Sequence, residues 1–192
     1  MQREHEPRTH HHEPTANAGR AIGRLEEGVR LTLSSDGKYS LGDIVRAVVD
    51  QLQPCSVVVS SGFVSVIDAQ SLGALLRCGA LTDLLVITDR GLESKHPRSA
   101  RAIEDAFGSG RVRASRCKAR FAIVRGAFSV VVRGSGSLAK SRGLDLFDVD
   151  CCEQMATFME GIVRDMVGEM PGGWAEGEPT QKGGFDASRL RF

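Results

Sequence analysis

Residues 118–138 read KARFAIVRGAFSVVVRGSGSL. Two basic side chains one residue apart, Lys118 and Arg120, open the stretch. An apolar run over 121–132 follows, broken once by Arg125-Gly126, and the chain then leaves it through Arg133-Gly134-Ser135-Gly136-Ser137-Leu138. β-branched and aromatic residues on both sides of a glycine predict two strands of a hairpin, near 120–124 and 128–132. If the first strand extends upstream, period-two alternation puts Arg116, Lys118 and Arg120 on one face and Ser115, Cys117, Ala119, Phe121 and Ile123 on the other. Arg133 then joins the basic row from the neighbouring strand, with Arg111 and Arg113 just upstream, and Cys117 belongs to the core. A solvated strand rim is the bland reading of such a row.

Outward from this hairpin the pattern alternates between helix and strand. Ser40-Leu-Gly-Asp43 resembles a capping box, and Ile44, Val45, Val48, Val49 and Leu52 recur at helical spacing until Pro54. Val57-Val58-Val59 within 55–61 suits a buried strand. Asp68 is expected to cap a helix carrying Leu72, Leu75 and Leu76, with Gly79 at its end. Leu84-Leu85-Val86-Ile87 predicts a second buried strand, and Pro97 the first turn of a helix through Ile103 and Phe107, stopped by Gly108. A further strand is expected near Val112. Residues 154–166 close the domain as an amphipathic helix with Met155, Phe158, Met159, Ile162 and Val163 on one side. The fold class is therefore α/β: a mixed β-sheet covered by helices on both faces, a single domain over 21–170.

The 192 residues carry a formal net charge of +1, which excludes a global charge argument for nucleic acid and leaves only a local patch. Aromatics are 5 % of the chain and do not interleave with the arginines, so base stacking is not expected. No apolar run approaches the length of a membrane span, and the first 18 residues are polar rather than a signal peptide; a soluble, cytoplasmic protein with no membrane partner is expected. Cys55, Cys78, Cys117, Cys151 and Cys152 show no Cys-x-x-Cys spacing, which predicts reduced thiols. Residues 1–20 read as a disordered, His-rich tail. Histidines 10–12 on one flexible strand converge poorly on an ion, so neither metal nor cofactor is expected. Residues 171–192 read as a flexible Gly-rich tail, with Trp174, Phe185 and Phe192 available to dock. His96, before Pro97, is expected in a solvent-exposed loop.

Taken in order, Lys118-Ala-Arg120, the hairpin, Gly134-Ser135-Gly136-Ser137-Leu138 and Ser141-Arg142-Gly143-Leu144-Asp145-Leu146-Phe147-Asp148 resemble the active-site segment of the phospholipase D-like superfamily. There His-x-Lys lies on one strand and Gly-Ser-x-Asn follows the next. In the short single-motif members often encoded by bacteriophages, Asn-x-Arg-x-Glu-x-Phe-Asp and a helix come after. The resemblance covers about residues 57–167 and implies a phospholipase D-like fold. Family members cleave phosphodiesters through a phosphohistidine, with Lys and Asn neutralising the phosphoryl oxygens and two motif copies meeting at a two-fold axis.

Each catalytic letter is altered here. Lys118 stands for the His, Arg120 for the Lys, Ser137 for the Asn, and Asp145 for the Glu that orients the His. An ordinary lysine amine is protonated at neutral pH and does not attack phosphorus. Arg120 still neutralises phosphate and does so bidentately. Ser137 donates one hydroxyl hydrogen bond, and Asp145 is expected to pair with Lys118 or Arg142. The resemblance thus implies a phosphate site without its nucleophile. It would comprise Arg116, Lys118, Arg120, Arg133, Gly134, Ser135, Ser137 and Arg142, in a homodimer that binds nucleic acid, DNA first, as a phage-type accessory factor would. Two other readings stay open: an active phosphodiesterase or nuclease with an unrecognised nucleophile such as Cys117, and a structural or protein-interaction module.

Overall fold

A computed structural model describes residues 17–140 and 142–168 of the chain. Its elements are α1 (Ala18–Ile22), β1 (Arg30–Asp36), α2 (Leu41–Leu52), β2 (Cys55–Ser61), α3 (Val66–Arg77), β3 (Leu81–Asp89), α4 (Leu92–Lys95), α5 (Pro97–Phe107), β4 (Val112–Ser115), β5 (Arg120–Arg125), β6 (Ser129–Gly134), β7 (Leu144–Asp150) and α6 (Glu153–Gly168). The expectations for residues 1–16, including the histidines, and for the Gly-rich tail lie outside the described residues. Helix α1 begins inside the stretch expected to be disordered, because the Asn17 side chain accepts from Gly19 N and Arg20 N and so caps it.

The sheet order is β1-β7-β6-β5-β2-β3-β4. β2, β3 and β4 are parallel, joined by crossovers through α3 and through α4 and α5, while β5, β6, β7 and β1 pair antiparallel. Alternation in the central strands explains why their sequences read as unbroken apolar runs. Val57, Val59, Leu84, Val86, Ala122, Val124, Val130 and Val132 point to the side packed by α2, α3 and α5. Val58, Leu85, Ile87, Phe121, Ile123 and Val131 point to the other, where Ala156, Met159 and Val163 of α6 cover them. Each such side chain is worth about 1.5–3 kcal/mol when fully buried. The mixed sheet covered on both faces follows directly from this two-sided burial.

Local signals place the helices. Ser40 N donates to Asp43 Oδ2 (2.8 Å) and Asp43 N to Ser40 Oγ (3.2 Å), a complete capping box on α2. Helix α3 is capped by Ser65, not Asp68. Asp68 sits three residues further on, where it accepts from Ser65 Oγ (2.5 Å) and lies 3.5 Å from Arg46 Nη1. Gly79 (φ +80°) and Gly108 (φ +75°) end α3 and α5 in a conformation that favours glycine. β1 and β7 were not expected, although polar side chains alternate with buried ones along both in the period-two pattern of a half-buried strand.

Two expectations about the basic row are corrected here. Residues 116–119 are not strand: β5 starts at Arg120, and the Ser115 hydroxyl accepts from Cys117 N (2.9 Å), turning the chain before it reaches β5. Arg133 leaves the row as well. Antiparallel register sets Arg120 opposite Gly134 and Phe121 opposite Arg133, so Arg133 shares the α6 face. There its guanidinium lies 3.9 Å from Asp150 Oδ2 and 3.8 Å from Met155 Sδ. The apolar stripe of α6 is also wider than its contact with the sheet, since Phe158 and Ile162 remain exposed.

Candidate functional site

The ends of β5 and β6 meet the end of β2 and the start of α2 at one rim of the sheet. Arg120, the first residue of β5, is half-buried, and its Nη1 donates to the Ser135 carbonyl oxygen. Its Nε is buried and makes no hydrogen bond among the described residues. Arg46, Arg125 and Arg133 all have carboxylate partners. Arg120 has none within 4.0 Å among the described residues, and neither do the exposed Arg116 and Lys118. Upstream, Arg111 lies 3.7 Å from Asp83, and Arg113 donates to the Val112 and Gly110 carbonyls, its pKa lowered by burial. Of the two, only Arg111 is paired with a carboxylate among the described residues.

The turn after β6 is fixed from below by Phe147. A Cβ on Gly134 would stand 2.4 Å from Leu146 O and 2.5 Å from Phe147 Cδ1, and one on Gly136 would stand 2.5 Å from Phe147 Cζ. Only glycine lets the backbone rest on that ring, which accounts for the Gly-Ser-Gly-Ser spacing. Ser135 is tied to β7 three ways: its N donates to Leu146 O (3.0 Å), its Oγ donates to Asp145 Oδ1 (3.1 Å), and Leu146 N donates to its Oγ (3.1 Å). Asp145 is thus the buried acceptor that holds the Ser135 hydroxyl. Downstream, Leu41 N donates to Ser137 O (3.1 Å) and Leu138 N to Ser61 Oγ (3.0 Å), clamping the turn to the start of α2 and the end of β2. Ser137 is half-buried at this junction and Arg142 is exposed beyond it.

The structure therefore brings Arg120, Gly134, Ser135, Ser137 and Asp145 together. Lys118 and Arg116 lie on the exposed connection leading into Arg120, and Arg133 stands on the opposite face. Cys117 is half-buried, with its Sγ 3.9 Å from Ser60 Oγ and 4.0 Å from Ala119 O. Three contributions become clear only in the fold, although Phe147 itself is a letter of the motif. Phe147 is the platform, Ser61 pins Leu138, and Gly62 admits the Arg120 head, whose Nη2 is 4.0 Å from where a Gly62 Cβ would stand. Position was the available signal for two of them, since Ser61 and Gly62 lie at the carboxyl end of a parallel strand, where α/β sheets bind ligands. Chemically, the rim offers guanidinium and hydroxyl donors to an anion. Among the described residues no three His, Cys, Asp or Glu side chains converge as a metal-ligand set.

No family model matches the sequence, and no curated protein matches it. The architecture is shared with solved structures, and the class it defines is the phospholipase D-like fold. The crystal structure of a phospholipase D family member, Nuc from Salmonella typhimurium, is similar to 74 % of this chain and 97 % of its own, at a TM-score of 0.52 and 12 % identity. A likeness at TM-score 0.48 and 9 % identity, over 73 % of this chain and 54 % of the other, is found with TrmBL2, an archaeal chromatin protein. No described helix is long and apolar enough to cross a membrane.

Proposed function

We propose that this chain binds the phosphate backbone of nucleic acid, DNA first, at Arg120 and the 134–137 turn, and does not cleave it. The observation that carries the reading is Arg120: a half-buried guanidinium with a buried, unpartnered Nε–H and no carboxylate beside it among the described residues. An unsatisfied buried donor costs about 1–3 kcal/mol, and a phosphate oxygen in reach of it would offset that cost. The exposed Arg116 and Lys118 widen the positive surface, and Ser137 presents a hydroxyl in the adjoining turn, that of Ser135 being donated to Asp145. The positions that carry catalysis in the family this chain resembles are occupied here by Lys118, Arg120 and Ser137. These groups neutralise a phosphate rather than attack it, which supports a pseudoenzyme.

The single motif copy supports a homodimer with residues 142–148 near its two-fold axis, so that two such rims join into one groove. Register with the short single-motif members supports an accessory role of the kind bacteriophages encode. Arginine and lysine on phosphates position a protein without reading bases, so duplex DNA should bind weakly and without sequence preference.

The test is binding of labelled duplex DNA across a salt series, beside a cleavage assay. Replacing Arg116, Lys118 and Arg120 by Ala should weaken binding alike on every sequence and lower the salt slope by about 0.9 per lost phosphate contact. Circular dichroism should not change. No cleavage is expected, with or without chelator. Parental binding by the triple variant sinks the backbone reading, and turnover that vanishes in Lys118→Ala or Cys117→Ala overturns the pseudoenzyme.

A further inference from the structure

Beside the phosphate rim, the fold assembles an apolar shelf that the sequence keeps apart. Phe63 follows Gly62, the residue against which the Arg120 head rests, and Ser61 Oγ donates to the Phe63 carbonyl (2.7 Å), fixing the backbone there. The Phe63 ring is half-buried, and the exposed His96 imidazole meets it edge-on at 4.9 Å between centroids and 69° between planes. Two residues at the start of α3 continue the shelf: Val66 is 37 % exposed and Ile67 75 %. A Cβ on Gly62, the residue before Phe63, would stand 4.0 Å from Arg120 Nη2.

A cation with no carboxylate partner among the described residues and a partly exposed aromatic ring next along the chain match two parts of one nucleotide. The phosphate is recognised by charge and the base by its apolar face. Base pairs in a duplex are stacked on each other and present no free face to a side chain, whereas every base of a single strand does. We infer that Phe63, braced by His96, is a stacking platform for an unpaired base next to the phosphate held at Arg120, so that single-stranded nucleic acid is the preferred ligand. This rests on the phosphate-binding reading and adds a ligand class to it. His96 acts here as a positioning residue, holding the ring.

The experiment uses the full chain and three labelled probes, read by fluorescence anisotropy: an oligothymidylate of about 16 nucleotides, an abasic oligomer of the same length, and a duplex. Oligothymidylate should bind tightest. Phe63→Leu keeps most of the apolar volume but removes the ring, and should weaken oligothymidylate binding about five- to hundredfold while leaving the abasic and duplex probes unchanged. His96→Ala should weaken oligothymidylate in the same selective way, by less. Arg120→Ala should weaken all three. Equal binding of the abasic and oligothymidylate probes by the parent protein overturns the platform, and that comparison needs no variant to fold. So does a Phe63→Leu loss shared by all three probes, or no loss at all. Phe63-dependent binding to phosphatidylglycerol vesicles in place of the oligonucleotide would assign the shelf to lipid and equally overturn it. If Arg120→Ala changes nothing, the phosphate reading itself has failed. If Arg120→Ala weakens binding and Phe63→Leu does not, only the platform has.

Discussion

At Gly136 a methyl group would stand 2.5 Å from Phe147 Cζ and 3.0 Å from Asp145 Cγ, both on the strand that anchors the turn. Gly136→Ala should therefore destabilise the protein by about 1–3 kcal/mol, the usual cost of overpacking. Phe147→Leu should recover part of that loss, because shortening the ring opens the space the methyl group needs. Urea unfolding of the two single variants and the double variant checks this, and strict additivity would show that the two groups do not collide. The thiols give a second expectation at this scale. Burial pushes Cys55 up to about 11; burial, then the Asp150 and Cys152 charges, push Cys151 up to about 12. Both stay protonated at neutral pH, so a thiol reagent should modify the exposed Cys78 first and reach Cys55 and Cys151 only as the fold opens. Peptide mapping by mass spectrometry after brief labelling distinguishes the two classes.

Helix α6 is attached to the sheet by one charged cluster as well as by its apolar face. Arg125, at the end of β5, bonds Glu160 through Nε and Nη2 (2.6 Å each) and also pairs with Glu153, while Ser129 Oγ donates to Glu153 Oε2 (2.6 Å). Glu160 is 2 % exposed, so Arg125→Ala strands a buried carboxylate and should cost about 3–5 kcal/mol. Glu153, by contrast, faces water. The Ser129 hydroxyl, then Arg125, holds its carboxyl below the ordinary value of 4.5. A folded pKa below the unfolded one stabilises above the unfolded value, and that stability is lost as pH falls through the folded one. With half the side chain exposed, the contribution is at most about 1 kcal/mol. Glu153→Gln should flatten the loss of stability below about pH 5, measured as urea midpoints down a pH series. The elements most legible in the sequence were those with local chemistry. α2 has its capping box, β2 its valine run, and α5 its Pro97 and Gly108. The cap of α3 was misplaced because Ser65 and Asp68 both suit such a position and only the fold shows which one begins the helix. β1 and β7 escaped notice although their period-two alternation is the pattern of a half-buried strand.

At the scale of the molecule, the motif located the rim but not its make-up. Arg120, Ser135 and Asp145 stand together because the hairpin and β7 bring them there by local register. Arg133 went to the wrong face because a one-residue offset in antiparallel pairing reverses a side chain's direction. The Phe63–His96 contact and the packing role of Phe147 are not legible in the sequence, because contacts between segments distant along the chain leave no period or spacing to read. The proposed homodimer belongs to this scale too. Light scattering at micromolar concentration should give twice the chain mass, and Leu146→Arg, at an exposed site on β7, should lower it toward one chain if residues 142–148 line the axis. A monomer in both would remove the joined groove.

One edge of the sheet is also paired only after the other strands have been made. Edge strand β1 pairs with β7, Arg30 opposite Asp150, so a strand made early has its partner made almost last. At about 5–20 residues per second, the ribosome needs roughly 6–24 s to supply that partner. During that interval Leu31 and Leu33 have no strand to cover them, and slow, non-local pairing of this kind is where chains aggregate. Yield on expression should therefore respond to temperature and chaperone supply more than the finished protein's stability would suggest. Slowing translation after β7, rather than before it, is the change that would give the nascent chain time to close.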